Sequence, residues 1–181
     1  VISHAWKTGG LKGVWKQMVP MLGGKLGVDH ALAAKYQKLG LLPESTFGRR
    51  YWIHMRSEGF GFPGEPASFS EAFMKHDCCH VLGGYGVDPA SECEVVAFIA
   101  GFMQADPFWY LFMIAVHMHL GIETFHKNPL GQMAFEPERV VRALQRGRAV
   151  NRDLYATDLD WYPYFSMELD EVRAEFGIGP K

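Results

Sequence analysis

Residues 76–92 read HDCCHVLGGYGVDPASE, and the spacing of their polar residues predicts a helix, a sharp turn and a second helix. On an α-helix, residues four apart lie about 40° from each other around the axis, so His76 and His80 project from one face in adjacent turns. Asp77 falls about 100° from His76 and about 60° from His80. All three side chains can therefore converge on one point.

The glycine-rich turn after His80 predicts the place of a fourth polar group. Glycines occupy positions 83, 84 and 86, and Glu92 follows His80 after eleven intervening residues, near the start of the next helix. Because glycine permits sharp changes of chain direction, we expect this turn to fold the second helix back. Glu92 would then lie beside the histidines.

Two imidazoles with one or two carboxylates form a mixed nitrogen and oxygen shell, which is typical of a site for a divalent metal ion. Such a shell suits zinc and also manganese or ferrous iron, so the residue types do not choose among these metals. A coordination position left open would bind and polarise a water or a substrate oxygen. The alternative is a purely structural pair, in which one histidine is solvated and the other is hydrogen-bonded.

The remainder of the sequence predicts an all-α fold, a compact single-domain helical bundle of six or seven helices. No run of alternating apolar and polar residues is long enough to require a sheet. Besides the helix that carries the histidines, helical spacing and stop signals place helices over about 26–39, 44–58, 88 onward, 136–155 and 166–176. The predicted N-terminal caps are Ser45 for the second helix, Ser68 or Ser70 for the third, and Asp88, followed by Pro89, for the fourth.

Composition and charge exclude several classes of protein. The 181 residues are 48% hydrophobic with 18 basic and 20 acidic side chains, which suits one domain and gives no basic field for nucleic acid. Three clustered cysteines, Cys78, Cys79 and Cys93, argue against a disulfide framework and for a reducing compartment. The apolar run 108–122 is shorter than the roughly 20 residues of a membrane span. The first residues, VISHAWKTGG, resemble neither a secretory signal nor a transit peptide.

A second set of polar residues ends that apolar run: His117, His119, Glu123 and His126. The last three share a helical face if the helix continues that far, which would permit a second metal site. We favour a hydrogen-bonded pair, with His126 near the helix end, where its positive charge is favourable.

The order of the motifs resembles the Coq four family of ubiquinone (coenzyme Q) biosynthesis proteins. The pattern H-D-x-x-H, eleven residues and E matches that family's signature, and LLPESTFGRRYWIHM at 41–55 is similar to its L-P-x-x-T-x-G-x-x-Y segment. The stretch 143–180 resembles the family's basic helix, tryptophan segment and final E-x-R-x-x-F-G-I-x-P. The resemblance divides the chain into an N-terminal helical extension, 1–40, and a Coq four-like helical domain, 41–181.

The resemblance implies an all-helical domain with a metal, usually written as zinc, at the positions of His76, Asp77, His80 and Glu92. It implies that these four residues serve a metal-dependent oxidative decarboxylase, a lyase that removes the C1 carboxyl group of a polyprenylated hydroxybenzoate and hydroxylates that carbon. It also implies a homodimer that binds membranes peripherally and organises other ubiquinone biosynthesis enzymes. The missing transit peptide predicts a bacterial cytoplasm, at the inner face of the cytoplasmic membrane.

Some residues depart from the family pattern or extend it. Cys78 and Cys79 occupy positions where we expect larger apolar or basic residues.

Large apolar residues after the metal motif could line a groove for an isoprenoid tail, although core packing accounts for most of them. These are Phe98, Phe102, Met103, Phe108, Trp109, Leu111, Phe112, Met113 and Met118. The arginines of the 136–155 helix are interpreted as a solvated face, with contact to acidic lipid head groups or to the substrate carboxylate as the alternative: Arg139, Arg142, Arg146, Arg148 and Arg152.

Two other functions use the same residues. In one, the chain is a non-catalytic prenyl-lipid-binding scaffold, and a structural metal with a closed shell pins two helices together. In the other, the same ligands support hydrolysis of a prenyl phosphate.

Overall fold

The computed structural model describes residues 28–66, 68, 69, 71–103, 112, 120 and 134–181. These residues form six α-helices: α1 (His30–Gln37), α2 (Phe47–Ser57), α3 (Glu71–Gly83), α4 (Pro89–Phe102), α5 (Pro137–Ala149) and α6 (Leu169–Glu175). Lys38–Leu41 and Pro163–Ser166 are single 3-10 turns. The described ranges hold no strand, and their one isolated β-bridge joins Thr46 to Glu168. The predicted all-α single domain of about six helices is confirmed, while its division at residue 40 stays a prediction.

The start of α4 follows the local sequence signal. Asp88 is the N-cap, and its carboxylate accepts hydrogen bonds of 3.1 Å from the backbone N–H groups of Ala90 and Ser91. Pro89 occupies the first helical turn, where no intrahelical N–H bond is lost. Both predicted roles are confirmed, and this start places Glu92 in the first turn of α4.

The start of α2 lies later than predicted, because a non-local pairing holds Thr46 extended. Thr46, not Ser45, is the N-cap, and its hydroxyl accepts a 3.3 Å hydrogen bond from the N–H of Arg49. On either side of Thr46, the Phe47 N–H donates to the Met167 carbonyl at 2.8 Å, and the Ser45 carbonyl accepts from Leu169. The helix therefore begins at Phe47 rather than near residue 44.

The first helix differs from its prediction at both ends. Asp29 caps α1 and accepts a 3.0 Å hydrogen bond from the N–H of Leu32, so the described helix begins at His30. At its other end the α-helix stops at Gln37 rather than at residue 39, because the chain tightens there into the 3-10 turn Lys38–Leu41.

Among the described residues, one compact unit comprises those up to Val81 together with Asp160–Val172. Its core is aromatic: the rings of Tyr36, Phe62 and Phe165 surround Tyr51 with centroid distances of 5.6–6.2 Å. The Tyr36 and Tyr162 hydroxyls donate to the same carboxylate oxygen of Glu71, at 2.8 and 2.5 Å. Glu71 lies in the first turn of α3, so these bonds fix the beginning of the helix that carries the histidines.

The second compact unit comprises the described residues between Leu82 and Leu159 together with Arg173–Lys181, and its helices α4 and α5 pack closely. The two backbones meet at Gly101 and Gly147: a Cβ on Gly147 would lie 2.0 Å from the Phe98 carbonyl oxygen. Only glycine leaves room for so close an approach. Glycine at both positions therefore fixes where α5 crosses the helix that bears Glu92.

Two arginines of α5 differ from the predicted solvated face. Arg139 donates to the buried carboxylate of Glu94 at 2.6 Å. Arg146 donates to the Gly83 carbonyl at 3.1 Å and also to the Tyr85 hydroxyl. Arg142 and Arg148 are exposed, as predicted. The interpretation as a solvated face is therefore wrong for Arg139 and Arg146, whose partners lie 45 and 63 residues earlier in the chain.

Candidate metal centre

The first two candidate ligands lie in adjacent turns of α3, as their spacing predicts. The Nε2 atoms of His76 and His80 are 3.0 Å apart. Their ring centroids are 4.8 Å apart, with the rings inclined at 75°. His80 is buried, with 2% of its surface exposed, and His76 is half-buried. The two ring nitrogens therefore lie close together, at the boundary between the protein interior and the surface.

The third candidate ligand comes from the next helix. One ligand atom each of His76, His80 and Glu92 can be chosen so that all three lie within 4.8 Å of one another. Glu92 occupies the first turn of α4, where the positive end of the helix dipole favours a carboxylate. Gly84, which has a φ of 70°, supplies the left-handed residue after α3 that turns the chain. The predicted convergence of these three side chains is confirmed.

Asp77, the fourth predicted ligand, is not among the three grouped residues. It is half-buried, and its negative charge adds to burial, the main cause, in raising the pKa of Tyr51 and of Cys78. Those two groups belong to the core beneath α3, since both side chains are fully buried. Asp77 as a ligand or proton carrier therefore stays a prediction.

The donor set of this group fits a divalent metal ion. Two metal–nitrogen bonds of about 2.1 Å place their nitrogens about 3.4 Å apart at the tetrahedral angle typical of zinc, whereas at a right angle, as in octahedral coordination, they are about 3.0 Å apart. The two imidazole nitrogens have that separation, 3.0 Å. With the Glu92 carboxylate they form a two-nitrogen, one-oxygen set of the kind that holds zinc, manganese or ferrous iron with coordination positions to spare. Without a metal, the same separation permits a direct N–H···N hydrogen bond between the rings.

The cysteines near the ligands are packing residues. Cys78 and Cys79 are fully buried, and the Cys78 thiol donates to the Met74 sulfur at 3.3 Å. Burial raises the pKa of the Cys78 thiol well above its usual range, and the charges of Cys79 and Asp77 raise it further. Burial also raises the pKa of Cys93 to about 12. With no ion bound, Cys78 and Cys93 therefore stay protonated at neutral pH.

A third histidine, His54, lies against the site and was missed in the sequence. Its ring stacks on His80 with centroids 5.3 Å apart and an interplanar angle of 23°. A signal was present: His54 follows Tyr51 by three residues, and both Tyr51 and Met55 are buried on the inner face of α2. A polar side chain on the core face of an amphipathic helix is a candidate for a role at a site.

Several predicted residues lie outside the described part of the chain. These are the second polar set, His117, His119, Glu123 and His126, and the candidate tail-lining residues Phe108, Trp109, Leu111, Met113 and Met118. Among the described members of that apolar set, Phe98 and Phe102 are buried and pack edge to face at 5.5 Å, which is ordinary core packing. Among the helices that are described, none combines the length and apolar character of a membrane span.

The fold is similar to that of a protein of known structure. A candidate ubiquinone biosynthesis protein from Nostoc punctiforme PCC 73102, solved by crystallography, aligns with a TM-score of 0.56 and 17% sequence identity. The alignment covers 98% of this chain and 79% of that chain. No protein-family model and no curated protein sequence matches this chain. At this identity the likeness shows a shared helical fold.

Proposed function

We propose that this chain is a member of the Coq four family and a metal-dependent oxidative decarboxylase of ubiquinone biosynthesis. The observation that carries the proposal is the convergence of His76, His80 and Glu92 at the positions of that family's signature. The helical fold supports it, because the structurally similar Nostoc protein is itself a candidate ubiquinone biosynthesis protein. The proposed substrate is a polyprenylated hydroxybenzoate. Its C1 carboxyl group leaves as CO2, and a hydroxyl oxygen from an external oxidant takes its place on the ring.

The roles of the residues follow from their burial and charge. His80, buried beneath the site, and His76, half-buried, would hold the ion through neutral ring nitrogens. The Glu92 carboxylate would offset part of its charge. A bound divalent ion would supply Lewis acidity toward an oxygen of the aromatic acid. Asp77, adjacent to His76 and half-buried, would complete the shell or accept a proton.

The partners and the place in the cell belong to the same proposal. A substrate with an isoprenoid tail resides in a membrane, so the enzyme would bind the inner face of the bacterial cytoplasmic membrane peripherally, as a homodimer beside other enzymes of the pathway. On α5, Val141 is 49% exposed, and Arg142 and Arg148, which follow it in the same helix, are exposed too. Exposed basic and apolar side chains on one helix suit a surface of anionic head groups.

Turnover tests the proposal. Purified protein loaded with zinc, manganese or ferrous iron is incubated with a polyprenyl-hydroxybenzoate and an oxidant, and loss of the carboxyl group is followed by mass spectrometry. We expect CO2 loss in the native protein and none in His76→Asn or Glu92→Gln. His30→Asn removes an exposed histidine from α1 and is the matched control, with unchanged activity.

The same experiment separates the alternatives. Tight binding of the lipid without loss of the carboxyl group under any metal and redox condition would contradict catalysis and favour the scaffold. Release of inorganic phosphate from a prenyl phosphate would favour hydrolysis. The scaffold is the second candidate because residues of two successive helices meet at the candidate metal centre, so an ion there would also brace α3 against α4.

A further inference from the structure

We infer that His54 is a positioning residue of the metal centre, whose stacked ring holds the imidazole of His80 in its ligating orientation. This inference rests on the metal centre of the proposed function and adds a residue outside the H-D-x-x-H signature. It follows from a continuous row of four rings. His76 meets His80 edge to face at 4.8 Å, His80 stacks on His54 at 5.3 Å, and His54 meets Phe60 edge to face at 6.3 Å.

The ring plane of His80 needs such a support. The torsion that turns an imidazole about its Cβ–Cγ bond has broad, roughly two-fold minima, so the side chain alone does not fix the plane. His76 touches the ring at a steep angle of 75°, whereas His54 lies against its face at 23°. A flat neighbour that lies nearly parallel to the ring, with centroids 5.3 Å apart, limits how far His80 can turn. The Nε2 atom of His80 is thereby kept 3.0 Å from that of His76.

His54 is itself well anchored. It lies on α2 between the buried side chains of Tyr51 and Met55, and α2 begins at the Thr46 cap. The ring of Phe60 also meets it, edge to face, with centroids 6.3 Å apart. The stack is therefore a contact between two ordered helices, α2 and α3.

His54 acts through His80 rather than on the ion. The cluster of metal-binding atoms contains His76, His80 and Glu92 and does not include His54. Outer residues that hydrogen-bond a ligating histidine and fix its ring commonly change metal affinity by about 10- to 100-fold when they are removed, and we expect an effect of the same order for this stacked ring. The ring face of His54, more than its nitrogen atoms, is the feature that the stack uses.

Two substitutions at His54 test whether its flat ring supports His80. His54→Leu keeps apolar bulk but removes the flat ring, and His54→Phe keeps the flat ring but removes the nitrogens. We expect His54→Leu to weaken cobalt(II) and zinc binding about 10- to 100-fold and to alter the visible spectrum of the cobalt(II) form. His54→Phe should bind both metals within about three-fold of the native protein. Binding is measured by competition with a chromophoric chelator, and thermal unfolding of the metal-free variants shows that both fold.

The outcomes separate this inference from the proposed function. If the native protein binds neither metal, the metal centre itself is refuted. If the native protein binds and His54→Leu has the same affinity and cobalt spectrum, the positioning role is wrong and the centre stands. If His54→Phe is as weak as His54→Leu, the nitrogens and not the ring face matter, which also overturns the inference. His30→Leu, on the exposed side of α1, serves as the control for loss of a histidine.

Discussion

Arg139 of α5 donates a 2.6 Å hydrogen bond to the carboxylate of Glu94 on α4, two residues after the candidate ligand Glu92. The side chain of Glu94 is only 7% exposed, and Lys181 also donates to it at 3.1 Å. Burial alone would raise the pKa of Glu94, but the bonds from Arg139 and Lys181 outweigh it and lower the pKa below its usual range. The pair ties α5 to the helix that presents Glu92.

Substitution of Arg139 should leave the buried carboxylate of Glu94 poorly compensated. We expect Arg139→Gln to lower the free energy of unfolding by about 2 kcal/mol, less than a fully buried pair would lose because Lys181 remains. Urea denaturation at pH 7 measures this. Arg142→Gln, on the exposed side of α5, should stay within about 0.5 kcal/mol of the native protein. Equal effects of the two substitutions would contradict a structural role for the Arg139 pair.

The loop before α3 should show a defined pH dependence. Hydrogen bonds from Arg56 lower the pKa of Glu65 from its usual 4.5 to about 2. Because the folded pKa lies below the unfolded one, the stabilisation is present above about pH 4.5 and is lost as the pH falls toward 2. We expect the difference in unfolding free energy between the native protein and Glu65→Gln to shrink steadily over that range. A difference that is constant from pH 7 to pH 2.5 would contradict this assignment.

The contact between α4 and α5 should not tolerate a methyl group. A Cβ on Gly147 would lie 2.0 Å from the carbonyl oxygen of Phe98. Because that oxygen belongs to the backbone, no change of side-chain rotamer can relieve the clash. We expect Gly147→Ala to destabilise the fold by at least about 2 kcal/mol. Gly179→Ala is the matched control, because nothing lies within 4 Å of its Cβ position. Similar melting temperatures for the two variants would show that the helices do not meet as described.

Two tyrosines of one aromatic cluster should respond oppositely to loss of the hydroxyl. Tyr51 is fully buried, and its hydroxyl has no hydrogen-bond partner among the described residues. The Tyr36 hydroxyl, equally buried, donates to Glu71 at 2.8 Å. Because an unsatisfied buried polar group is costly, Tyr51→Phe should raise the unfolding free energy by about 1 kcal/mol, whereas Tyr36→Phe should lower it by about 1 kcal/mol. Calorimetry of both variants checks the signs, and a loss of stability in Tyr51→Phe would contradict this.

The features that the sequence predicted well depend on neighbours in the chain. Asp88 and Pro89 begin α4 through bonds within three residues, so their types suffice to place the start. His76 and His80 lie on one face because a helix repeats every 3.6 residues. The candidate site could be assembled from sequence because its two histidines share a helix and Glu92 follows after a single short turn.

The features that were missed depend on contacts between distant parts of the chain. Thr46 replaces Ser45 as a cap because the chain near residue 168 pairs with it. Arg139 is paired rather than fully solvated because it donates to the buried carboxylate of Glu94 on another helix. The stack of His54 on His80 joins residues of two helices, and no local rule of spacing predicts that His54 of α2 will contact a histidine of α3. Such contacts arise only when the helices pack.

The central claim is that His76, His80 and Glu92 bind one metal ion. Anomalous diffraction at the zinc edge, from crystals of the zinc-loaded protein, tests it most directly. We predict one strong peak within about 2.0–2.2 Å of the two histidine Nε2 atoms and of a Glu92 carboxylate oxygen. No peak at this position in a fully loaded crystal, or a peak only at other histidines, would contradict the account.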